Sequence, residues 1–178
     1  MIITTKTGLP AGAHTYRSCG DAYAAYATPT DMLSIFGSET KRVAITSLVL
    51  GLQSTAAALQ TIDFVKRSTA NSGGTPTAQT AVKLNSSSPA ATAVVNIYGA
   101  APTTGDSAGI VFISKVSSST LTGGANNTLM GTQFPVSIVT PNSPIILNGA
   151  AQGLCINYRG AALTGGFAMS WNMEWVEF

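Results

Sequence analysis

Charge is what this sequence has least of. Its 178 residues carry nine Lys and Arg against seven Asp and Glu, a net charge of +2. Charged residues make up 9% of the chain, where about 25% is usual for a globular domain. A nucleic-acid surface needs a basic patch interleaved with aromatics. The only adjacent basic pairs are Lys41-Arg42 and Lys66-Arg67, so no nucleic-acid partner is expected. Histidine is scarcer still: His14 stands alone, and general-base chemistry through it would require the N-terminal segment to fold back over a nucleophile. Metal-ligand spacing is missing too, with no Cys-x-x-Cys, no His pair and no Asp-rich calcium loop. Asp21, Asp31, Glu39, Asp63 and Asp106 are isolated, while Glu174 and Glu177 have opposite strand parity and should face opposite ways. The pairs Gly73-Gly74, Gly123-Gly124 and Gly165-Gly166 lack the Lys and Ser/Thr of a phosphate loop and read as turns. Neither an enzyme nor a cofactor is therefore expected. No apolar run reaches the ~18 residues of a membrane span, and the start Met-Ile-Ile-Thr-Thr-Lys lacks the pattern of a secretory signal. Cys19 and Cys155 read as buried free thiols, with a disulfide between them left open.

What is present is strand periodicity, clearest at the end of the chain. From Phe167 to Trp175 every second residue is large and apolar, so Phe167, Met169, Trp171, Met173 and Trp175 share one face and form the candidate core. Ala168, Ser170, Asn172 and Glu174 share the other. Wound as a helix, the same residues would be spread all round the axis. Both tryptophans of the protein lie on the apolar face, which implies a half-buried antiparallel sheet with this strand as its central stave.

Residues 1–30 carry Gly8, Pro10, Gly12, Gly20 and Pro29 without a sustained apolar period, and read as an extended arm. Tyr16, Tyr23 and Tyr26 suggest that the arm rests on its own sheet or a neighbour's, and Asp21 to Ala27 has the spacing for two helical turns. Residues 31–178 are a succession of short apolar runs separated by turn chemistry. In the run Arg42 to Gln53, Val43, Ile45 and Val49 fall on one side and Leu48, Leu50 and Leu52 on the other. The run Leu59 to Arg67 follows after a short spacer and looks like its hairpin partner. Further runs lie at 81–84, 93–98, 110–116, 134–139, 144–147 and 154–158, with small-residue loops at 71–77 and 117–127. About eight to ten strands with long loops suit connections that cross between sheets. The expected fold is all-β, a jelly-roll-like antiparallel β-sandwich with an extended N-terminal arm.

Several stretches carry a family resemblance: Lys41-Arg-Val43; Asp63-Phe-Val-Lys-Arg-Ser-Thr-Ala-Asn-Ser-Gly-Gly-Thr75; Ser88-Pro-Ala-Ala-Thr-Ala93; the run Pro144 to Asn157; and Met169-Ser-Trp-Asn-Met-Glu-Trp175. Over roughly residues 39–178 these resemble small virion structural proteins of tailed bacteriophages. The resemblance implies a non-enzymatic head decoration or cement protein, a homo-oligomer and most plausibly a trimer, bound between major capsid proteins and assembled in the host bacterial cytoplasm. It also implies an arm lying on neighbouring subunits, with Ile2, Ile3, Leu9, His14 and Tyr16 as candidate contacts. Val176 and Phe178 break the small polar pattern of the wet face and are candidate contacts as well, so removing Val176 to Phe178 is expected to disturb assembly more than folding. The alternative is a collar, tail or head-fibre module that binds host-surface glycans through loops 71–77, 117–127 and 159–166.

Overall fold

The computed structural model describes residues 12–23, 30–54, 58–118, 136–139, 143–159 and 167–178. The described residues contain no helix and form twelve strands: β1 (His14–Tyr23), β2 (Thr30–Phe36), β3 (Arg42–Ser54), β4 (Ala58–Arg67), β5 (Pro76–Ala78), β6 (Val82–Lys83), β7 (Val94–Tyr98), β8 (Ser107–Ser118), β9 (Val136–Val139), β10 (Ile145–Asn148), β11 (Gly153–Arg159) and β12 (Phe167–Glu177). They make two antiparallel sheets packed face to face. The first runs β10-β3-β12-β1-β6, with β9 also on β3; the second runs β5-β7-β2-β11-β4-β8. Set aside β5, β6 and β7 as an insertion between β4 and β8, and the order β1-β12-β3-β10 faces β2-β11-β4-β8. With β9 set aside as well, successive strands cross from sheet to sheet except β4 and β8, which neighbour each other, and this is the jelly-roll connectivity.

β12 sits at the centre of the first sheet between β3 and β1. Met169, Trp171, Met173 and Trp175 are all at most 1% exposed and belong to one core cluster with Leu33, Ile35, Phe64, Leu154 and Ile156 of the second sheet. The Phe167 position pairs with Ser54 at the far end of the strand. Each buried aromatic removes ~150–250 Å² from water, worth roughly 4–6 kcal/mol as an upper bound.

Three expectations are corrected. First, β3 and β4 are not a hairpin: β3 pairs with β12, β10 and β9, while β4 lies in the other sheet between β11 and β8. Ser54 ends β3 in the first sheet, and Ala58 begins β4 in the second.

Second, β3 does not present one apolar set to each side. Glu174 pairs with Ser47 and Trp175 with Ile45, so Thr46 is an extra residue in the ladder. One inserted residue reverses the side-chain parity beyond it, and Val43, Ile45, Leu48 and Leu50 all reach the core at 0–2% exposure. The Thr46 hydroxyl donates to the Glu174 carbonyl and to its carboxylate, both at 3.3 Å, which ties the bulge to β12.

Third, residues 14–23 are not an arm but β1, paired with β12 from His14↔Glu177 to Tyr23↔Ala168. The reason is steric. The Trp171 ring lies over Gly20, where an added Cβ would stand 2.6 Å from Cζ2. No side chain fits at position 20 because the tryptophan fills the space above it. Of the proposed helical turn, Asp21 to Tyr23 are strand, and residues 24–27 lie outside the described residues.

Candidate interaction edge

β8 closes the second sheet, with β4 on one side and no described strand on the other. Four consecutive residues in it, Ile110, Val111, Phe112 and Ile113, are 46%, 46%, 41% and 48% exposed. Such a run reads from sequence as a buried strand. Here its register explains the exposure. Phe112 is opposite Phe64 and meets it edge-on at 5.4 Å between centroids, so it faces the interior side at the open margin of the sandwich. Ile113 is opposite Asp63, on the outer side. Phe64 pairs with Phe112 but Val65 pairs with Ile110, and Lys66 pairs with Gly109 but Arg67 with Ser107. Val111 and Ala108 are therefore extra residues, and the ladder is regular only from Phe112 to Ser118. A long apolar edge strand with unpaired backbone groups is a template for another strand.

On the same outer face, three strands inward, lies the opposite kind of surface. Asp31 of β2 is fully buried, and its carboxylate accepts four hydrogen bonds. Arg67 donates through Nε at 3.1 Å and Nη2 at 2.7 Å, Asn71 at 2.9 Å and Asn157 at 2.7 Å. Arg67 also donates to the Gly105 carbonyl at 3.0 Å, and the Gly105 N–H donates to the Asn71 side-chain carbonyl at 2.9 Å. The Tyr98 hydroxyl takes part, 3.0 Å from the Ser34 hydroxyl and accepting from Asn71 at 3.2 Å. Burial pushes the Asp31 carboxyl up, but the hydrogen bonds from Arg67, Asn157 and Asn71, with the Arg67 charge, outweigh it and hold the group below the usual carboxylate range. Burial, then the Asp31 charge, pushes the Cys155 thiol well up, so it stays protonated and unreactive.

Two loops cover this centre. Ser72 and Thr103 exchange backbone hydrogen bonds, Ala100 N–H donates to the Gly74 carbonyl and Ser68 N–H to the Asp106 carbonyl. A Cβ at Gly105 would stand 1.9 Å from the Thr69 carbonyl oxygen, so only glycine permits the approach. Loop 71–77, expected as a free small-residue loop, is instead pinned across the sheet and runs into β5.

The residues singled out from sequence scatter. Ile2, Ile3 and Leu9 lie outside the described residues. His14 begins β1, with Nδ1 3.1 Å from the buried Ser88 hydroxyl. Tyr16 is core, stacked on Trp175 at 5.8 Å, and its hydroxyl donates to the Pro89 carbonyl. Val176 is fully buried between Thr15 and Ala44. Phe178 exchanges backbone hydrogen bonds with Arg42 and lines an open cavity of ≈ 690 Å³ with Ser38, Lys41 and Asn148. Glu177 went unread. Fully buried, it accepts from the Trp175 indole at 3.1 Å, from the Thr92 and Ala93 backbone N–H groups at 2.9 Å and from the Thr92 hydroxyl at 2.7 Å. It ties the strap before β7 to the last strand. Removing Val176 to Phe178 is thus expected to damage the fold itself, besides any subunit contact that the end makes.

The chain also contains Gly105-Asp-Ser107-Ala-Gly109, the spacing of a nucleophile elbow. An elbow sits on a strand-to-helix turn, whereas Ser107 opens an edge strand and its hydroxyl accepts from the Gly109 N–H at 3.1 Å. His14 is in the other sheet. Among the described residues no group of three or more His, Cys, Asp or Glu converges to hold a metal. Cys19 is exposed and Cys155 buried, both as free thiols, which corrects the expected burial of Cys19. Comparison with protein-family models, curated proteins and solved structures finds no match to this chain.

Proposed function

We propose that this protein is a non-enzymatic virion structural subunit, most plausibly a capsid decoration or cement protein that stabilises the head between major capsid proteins. The observation that carries the reading is the β8 edge. Ile110 to Ile113 expose apolar side chains on a strand with no described neighbour beyond it, so the chain presents a surface fit to be covered by protein. The scarcity of charge supports the same reading, because a nearly neutral surface favours association. So does the family resemblance. The buried polar groups around Asp31 find their partners inside the chain and support the fold rather than a reaction. The glycan-binding alternative is weaker. Loop 71–77 is pinned, Trp171 and Trp175 are at most 1% exposed, and residues 119–127 and 160–166 lie outside the described residues.

Cosedimentation of the purified chain with phage heads that lack it tests the proposal. Saturable binding at a stoichiometry of hundreds of copies per head supports decoration; no binding, with saturable binding on a glycan array, replaces it with the alternative. Truncation of residues 1–11, which leaves β1 whole, tests whether an arm contributes. The resemblance predicts weaker attachment, and equal attachment removes the arm from the account.

A further inference from the structure

We propose that Asn148-Gly149 is a site of self-modification, at which the asparagine loses its side-chain amide and leaves a carboxylate in the cavity beside Arg42. This goes beyond the virion reading and does not depend on it. The dipeptide is the only Asn-Gly of the chain. It lies where β10 ends and the chain turns towards β11, and both residues are exposed. Gly149 has a φ of +83°, a left-handed conformation that glycine takes without strain, and open space stands where a Cβ would be. No side chain there blocks the approach of its nitrogen to the Asn148 amide.

The reaction needs an unrestrained amide, an available N–H and water. Among the described residues the Asn148 side chain has no hydrogen-bond partner and the Gly149 N–H has no acceptor. Gln152 holds the turn by other groups, accepting from the Asn148 N–H at 3.0 Å and donating its own N–H to the Gly149 carbonyl at 3.4 Å. The Gly149 nitrogen, its proton taken by hydroxide, bonds to Asn148 Cγ; the Cγ–Nδ2 bond breaks, and the leaving group takes a proton from water to depart as ammonia. Water then opens the cyclic imide at either carbonyl, giving aspartate or its β-linked isomer. Other described asparagines are restrained. Asn71 is held by Asp31, Tyr98 and Gly105, Asn157 by Asp31, and Asn85 by Ser87. Asn96 and Asn172 precede the bulky Ile97 and Met173 within strands.

The fold already has a place for the new charge. Asn148 is directly opposite Arg42, and Arg42 turns both its backbone N–H and its carbonyl to Phe178. The Arg42–Asn148 pair therefore carries no ladder bonds, and the side chains of such a pair approach closely. Neither Lys41 nor Arg42 has an ion-pair partner among the described residues, and Glu39 is the one acidic side chain of the cavity lining. Loss of the amide changes the side chains of the lining from two cations against one carboxylate to two against two. The change runs one way.

Peptide mapping by mass spectrometry, on the full chain aged in mildly alkaline buffer, tests the modification. Conversion should gather at Asn148, at least about tenfold faster than at Asn71, Asn85, Asn96, Asn157 or Asn172, and Asn148→Gln should keep its charge on ion exchange over the same time. No conversion at Asn148, or conversion spread evenly over the asparagines, overturns the proposal. The chain unfolded in urea gives the rate of the bare dipeptide. A native rate within about tenfold of it is expected; a slower one means that the turn holds the nitrogen away from Cγ, and also overturns the proposal. For the place of the charge, the new carboxyl of Asn148→Asp, followed by NMR, should titrate at lower pH than in the same variant carrying Arg42→Gln, because an opposite charge close by favours the ionised form. Equal titration in the two would overturn the pairing with Arg42.

Discussion

The two ends of the outer sheet invert the usual placement of polar and apolar groups, and they do so for different reasons. Around β2 and β11 a charge pair is buried. Asp31 is 0% and Arg67 8% exposed at the side chain, yet the Asp31 oxygens each have two donors from the same chain. At β8 the apolar side chains are exposed, and no described strand lies beyond them. A buried charge with all its partners inside reports on how this chain holds its own loops. An exposed apolar edge with no described neighbour is a surface still open to be covered. Under the proposed reading, the contrast separates residues that hold the fold from residues that would meet a partner within one sheet.

Perturbing the buried end should be the most costly. Asp31→Ala leaves the Arg67 guanidinium buried without its carboxylate, at a cost of about 3–5 kcal/mol. Chemical denaturation should show this as a large drop in midpoint; a change under ~1 kcal/mol would mean that water replaces the carboxylate and that the centre is not sealed. Glu177→Ala should come next, since it leaves the Trp175 indole and the Ala93 N–H without acceptors, roughly 1–3 kcal/mol each. That loss should appear in folding and not in subunit contact, in contrast to the expectation from sequence.

Acid should act on the same end. Because the Asp31 carboxyl is held below its unfolded value, its contribution is fully present above pH ~3.9 and is lost as the pH falls through the lower folded value. Asp31→Asn should flatten that part of the stability–pH curve. A variant as acid-sensitive as the wild type would place the sensitive carboxylate elsewhere.

At the edge the expected effects on stability are the smallest. Ile113→Lys should change unfolding free energy by no more than about 0.5 kcal/mol, as is usual for exposed positions. A loss of several kcal/mol would mean that Ile113 belongs to the core of the subunit and would erase the distinction between the two ends.

Sequence made the sandwich legible because the alternation from Phe167 to Trp175 admits only a strand with one dry face. It left β1 hidden, since Ser18, Gly20 and their neighbours look like a linker until the Trp171 ring is placed over Gly20. The Thr46 bulge was equally invisible: no residue type announces that parity reverses there. Asp31 stood as an isolated acid because its partners Arg67, Asn71 and Asn157 come from β4, the loop after it and β11. The edge was concealed by its own composition, because an apolar run signals burial and says nothing about whether the covering surface belongs to the same chain.

Amide hydrogen exchange across β8 tests the central claim most directly, carried out on the wild type free and bound to phage heads. The account predicts that amides between Phe112 and Ser118 slow on binding, with amides around Asp31 and Asn157 equally slow in both states. Equal exchange along β8 in the free and the bound protein would contradict it.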